Sequence, residues 1–140
     1  MNIQPINNIN FNAKIVNNES YNDVMKYALE HNKLTRFTKT LENIDKIRKD
    51  TYIKMDICYT GDYPTVVFSR YEKGWNKVLQ EPTDYYVLKR QVDYISTKRE
   101  NPVKFALGKL IKLGNDAPNN KMFQEVVITK EQSKKKSCLF

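Results

Sequence analysis

The chain has little of what catalytic and metal-binding sites are built from. It holds one histidine, His31, and two cysteines, Cys58 and Cys138, so a zinc site would need carboxylates for most of its ligands, and no metal-ligand spacing is present. Its four glycines, Gly61, Gly74, Gly108 and Gly114, are too scattered to form a loop that cradles phosphates with successive backbone amides. No serine stands in a nucleophile-elbow sequence, and Cys58 alternates with apolar neighbours as a strand residue does. These absences give a reading with no catalytic residue, no metal and no cofactor. Two cysteines so far apart do not suggest a disulfide framework, and free thiols are expected. No apolar run approaches the roughly 20 residues that span a bilayer. Residues 1–12 also lack the basic and apolar regions of a signal peptide. A cytoplasmic protein with no transmembrane segment is expected.

What is present fits one globular unit. At 140 residues with 40% hydrophobic and 29% charged residues, the chain can build a single core. The net charge of +8 is unevenly placed. Residues 98–140 carry 10 Lys/Arg against 4 Asp/Glu, whereas residues 51–97 balance at 6 of each. The last third therefore has the composition of a surface that attracts polyanions.

Periodicity supplies the elements. Ile9, Phe11, Ala13 and Ile15 alternate with polar residues, predicting a first strand. Ser20 with Asp23 resembles a capping box and opens a helix to about Asn32 with His31 on its inner face. A second helix spans roughly 34–48. Residues 52–59 alternate as a strand, Gly61 to Pro64 mark a turn, and Thr65 to Tyr71 form the partner strand. Lys73-Gly74 is read as a turn into a short strand at Trp75 to Leu79. Pro82 to Ser96 fits either a strand or a helix with Tyr85, Leu88, Val92 and Ile95 on one face; helix is chosen. Asn101-Pro102 predicts a helix to residue 113, with Gly114 as its stop. A last strand follows near Met122 to Thr129, and residues 131–140 form a basic, disordered tail after a single domain over 1–130. The array β-α-α-β-β-β-α-α-β implies an α+β fold, a mainly antiparallel sheet of about five strands with helices on one face.

The helix at 102–113 offers the main functional signal. Burying Val103, Ala106, Leu107, Leu110, Ile111 and Leu113 turns Lys104, Lys109 and Lys112 outward, with Phe105 among them. Lysines that neutralise phosphates beside a ring that stacks on a base are the means of holding single-stranded nucleic acid. Lys98 and Arg99 extend the patch, and Lys134, Lys135 and Lys136 add a mobile arm. Cys138 stands third from the end, one place from where a prenylation box needs it. The leading expectation is a non-enzymatic basic module for nucleic acid or another polyanion. The alternative is a protein-interaction or self-association module anchored by Trp75, Tyr85 and Tyr86. A third is an enzyme whose carboxylates Asp56, Asp62 and Glu72 converge.

Overall fold

A computed structural model describes residues 15–47, 51–59 and 61–124. In it three helices, α1 (Glu19–Glu30), α2 (Leu34–Asp45) and α3 (Pro102–Asp116), cover one face of an antiparallel sheet ordered β1 (Thr51–Cys58), β2 (Thr65–Asn76), β3 (Glu81–Ile95). A 3-10 turn, Lys121–Phe123, follows α3. The architecture is α+β.

The alternation read in β1 sends Thr51, Ile53, Met55 and Ile57 into the core. Register places Met55 opposite Phe68 and Ile57 opposite Val66, and carries the same face across to Val92 and Tyr94. Val24, Ala28, Phe37, Ile44, Ala106, Leu107, Leu110 and Leu113 close over it from the helices. Each aliphatic side chain buried in this way stabilises the fold by roughly 1.5–3 kcal/mol before entropy is counted.

Polar side chains lock α1 to β1. Asn18, not Ser20, caps α1: its side-chain oxygen accepts from the Tyr21 amide, while its Nδ2 donates to the Met55 carbonyl at 3.1 Å. Ser20 is buried and its hydroxyl accepts the Ile57 amide at 3.0 Å, so it serves the sheet rather than the helix end. Asp23 accepts the Tyr59 hydroxyl at 2.7 Å. The capping-box expectation is corrected by these contacts. His31 is also corrected: it lies exposed just past α1, stacked on Tyr27 with ring centroids 3.9 Å apart.

The helix expected over 82–96 is strand β3. Its apolar residues meet β2 partners across the sheet, Val92 against Phe68 and Tyr94 against Val66, whereas Tyr85, Leu88 and Ile95 of the imagined helical face are exposed. Cross-strand packing outweighs the helical spacing. Trp75 and Asn76 end β2, and residues 77–80 make the turn, so no separate strand exists at 75–79. Lys89 is the extra residue of a bulge, since Arg70 pairs with Arg90 and Tyr71 with Leu88.

Of the expected first strand, Ile15 forms an isolated parallel bridge to Ile53, and residues 9–14 lie outside the described residues. Lys121–Phe123 form the 3-10 turn where the last strand was to begin, and residues 125–140 lie outside the description. Three strands therefore make the sheet among the described residues, in place of the five expected. Cys58 is disulfide-bonded, which corrects the free-thiol expectation for that residue.

Asn101 caps α3 as expected, accepting the Val103 and Lys104 amides. The helix runs through Gly114 instead of stopping there. A Cβ at Gly114 would lie 2.7 Å from Thr40 Cγ2 and 3.1 Å from the Thr40 carbonyl oxygen, so the missing side chain is what lets α3 cross α2 closely. Gly114→Ala should destabilise the protein by about 1–3 kcal/mol through overpacking, despite alanine's better helix propensity, as read from the urea midpoint. An unchanged or raised midpoint would refute the close-crossing account.

Burial, the Asp23 hydrogen bond and the charges of Asp23 and Glu19 push the Tyr59 phenol well above its ordinary range. The folded state thus holds this proton more tightly than the unfolded state does. Its contribution is complete below the ordinary phenol pKa of about 10 and is lost as pH rises beyond it. Between pH 8 and 11 the wild type should lose more stability than Tyr59→Phe; parallel losses in denaturant melts would remove the coupling.

Candidate functional site

The structure strings Lys98, Arg99, Lys104, Phe105, Lys109 and Lys112 along α3 and the loop before it, but not as the expected stacking surface. Phe105 is half-buried and packs against the core, because it borders the stripe formed by Ala106, Leu107 and Leu110. Arg99 pairs with Asp62 at 3.0 Å, and Lys112 with Asp116 at 3.3 Å. The Lys109 ammonium sits 5.2 Å from the Tyr94 ring centroid and 5.5 Å from that of Phe105. Lys121 adds a second cation 5.6 Å from the Tyr94 centroid, a neighbour that only the turn after α3 brings there. Lys98 and Lys104 are exposed. Lys134, Lys135 and Lys136 lie outside the described residues.

The three carboxylates of the enzymatic alternative do not converge. Asp56 pairs with Lys54 at 3.5 Å, Asp62 with Arg99, and Glu72 with Arg70 at 3.3 Å. Register also puts Asp56 opposite Val67 and Glu72 opposite Thr51, on opposite faces of the sheet. Among the described residues no group of three or more His, Cys, Asp or Glu could hold a metal ion.

Trp75, Tyr85 and Tyr86, by contrast, come together on one element. From Lys73 outward β2 pairs with β3 alone among the described residues, forming a two-stranded arm. Trp75 is 56% exposed, Tyr85 62%, Leu79 62% and Val78 90%. Trp75 projects from one face of the arm and Tyr85, lying over Gly74, from the other, with Val78 and Leu79 at the tip, so the arm carries exposed apolar side chains on both faces, a mark of an interaction site.

The arm is shaped rather than slack. A Cβ at Gly74 would lie 2.9 Å from the Tyr85 ring and 2.7 Å from Thr83 Oγ1, so glycine lets that ring lie across β2. At the tip the Asn76 side-chain oxygen accepts the Val78 and Leu79 amides, both at 3.0 Å. Gln80 turns the chain with φ of 56° and donates to the Lys77 carbonyl. At the base Tyr86 meets Tyr52 edge to face, centroids 5.0 Å apart. Val78 and Leu79 escaped the sequence reading because a short strand was assigned there; the Asn-Lys-Val-Leu-Gln turn is recognisable only from the side-chain hydrogen bonds of Asn76.

No helix among the described residues is long and apolar enough to cross a membrane. Comparison of the chain with protein-family models, curated proteins and solved structures finds no match.

Proposed function

We propose that the chain is a non-enzymatic interaction module whose β2–β3 arm docks into an apolar groove on a protein partner. The exposed run Trp75, Val78, Leu79 and Tyr85 on one ordered hairpin carries this reading. Large aromatic anchors held in place before binding lose little conformational entropy on docking, which favours affinity. Residues 73–86 hold two basic and two acidic side chains, so the arm is neutral and suits an apolar partner surface better than a polyanion.

The experiment places a photo-crosslinking amino acid at Val78, with exposed Asn22 as the control site. A discrete adduct with a different protein should form at Val78 alone and disappear when Trp75→Ala and Leu79→Asp are added. Equal adducts at both sites, or an adduct containing only a second copy of the chain, would overturn the reading.

A second reading keeps nucleic acid as the ligand of the α3 face, supported by the exposure of Lys98 and Lys104, neither of which has a carboxylate partner among the described residues. It predicts salt-sensitive binding of single-stranded RNA, measured by fluorescence anisotropy and abolished in Lys104→Glu/Lys109→Glu/Lys112→Glu. Binding that ignores salt, or survives the triple change, would dismiss it.

A further inference from the structure

A separate cleft opens on the helical layer, between the α1–α2 turn, α2 and the C-terminal part of α3. It measures about 850 Å³ and is lined by His31, Asn32, Lys33, Thr35, Arg36, Lys39, Thr40, Ile111 and Asn115. We propose that this cleft binds a small hydrophilic polyanion carrying two or more phosphate groups. The site is independent of the arm and shares no residue with it.

The charge of the lining carries the proposal. Lys33, Arg36 and Lys39 contribute three cations, and no carboxylate is among the lining residues. None of the three cleft cations forms an ion pair among the described residues. They recur every third residue, so they share one face, and like charges at this spacing repel one another along a helix. An anion seated between them would turn that repulsion into attraction. The first turn of α2 has neither an acidic residue nor a side-chain cap, so nothing there offsets the positive end of the helix dipole.

The remaining lining sets the ligand class. Asn32, Thr35 and Asn115 offer hydrogen bonds, and Ile111 is the one aliphatic wall. Tyr27 is occupied in stacking on His31. His31, covered on one side by Tyr27, is the one ring among the lining residues, and clustered phosphate oxygens would meet an arginine fork and two ammonium groups. The volume lies within the range of small-molecule sites. The turn that presents Lys33 is fixed, with Asn32 at φ of 58° and the Lys33 amide donating to the Ala28 carbonyl at 2.7 Å.

The test is calorimetric titration with pyrophosphate at constant ionic strength, using the full chain. Saturable one-to-one binding is expected, weakened at least about tenfold in Lys33→Gln/Arg36→Gln/Lys39→Gln and changed less than about twofold in Lys98→Gln/Lys104→Gln/Lys121→Gln, which removes the same charge elsewhere. No saturable heat, or equal weakening in both variants, would overturn the proposal. Amide shift mapping on the wild type supplies a readout that needs no variant to fold. Pyrophosphate should move the signals of residues 31–39 and Asn115; shifts confined to other residues would equally overturn it.

Discussion

A charge buried at the edge of the core governs how the chain closes. Arg70 sits on the helix-facing side of β2, opposite Ile53 and Arg90, at 2% exposure. A guanidinium removed from water must be bonded, or the fold loses several kcal/mol. Its Nη1 donates to the Met122 carbonyl at 3.0 Å, and Glu72 lies 3.3 Å from its Nε. The backbone after α3 is thereby drawn onto the sheet, with Met122 and Phe123 buried beside it. The position of α3 follows in turn, because its far end must deliver that backbone while its Gly114 rests on Thr40. Sheet, helix and final turn are thus joined by one polar requirement inside an otherwise apolar layer.

Several parts of this arrangement were legible in the sequence for physical reasons. The alternation of Ile53, Met55 and Ile57 has only one sensible partner period, and the Asn101-Pro102 start of α3 rests on local cap chemistry that needs no tertiary context. The parts that failed depend on neighbours distant in sequence. Pro82 to Ser96 satisfies both periods, and Phe68 and Val66 decide for the strand. Ser20 has the look of a helix cap until Ile57, 37 residues away, claims its hydroxyl. Gly114 resembles a helix stop because its true constraint, the Thr40 backbone, lies on another helix.

The candidate sites divide in the same way. The lysines of α3 were found from helical spacing, yet the inward lean of Phe105 was not, since it stands at the border of the buried stripe where spacing alone does not choose. Trp75, Tyr85 and Tyr86 were named as anchors without knowledge that they share a hairpin. Lys33, Arg36 and Lys39 were not singled out from the sequence, and their significance comes from Asn115 and Ile111 on α3, which turn an open helix face into a cleft.

The bulge at Lys89, at the root of the arm, shapes what the arm can recognise. Among the described residues β3 is an edge strand of the sheet, and an edge strand with regular backbone invites a foreign strand to add alongside it. Here Pro82 lacks an amide to donate, and the bulge breaks the repeat of backbone groups and places a lysine at the break. Strand addition and edge-to-edge growth are therefore disfavoured along β3. Recognition falls to the side chains, so discrimination between partners depends on the shape of a ring or a branched chain rather than on the backbone pattern that every extended peptide shares.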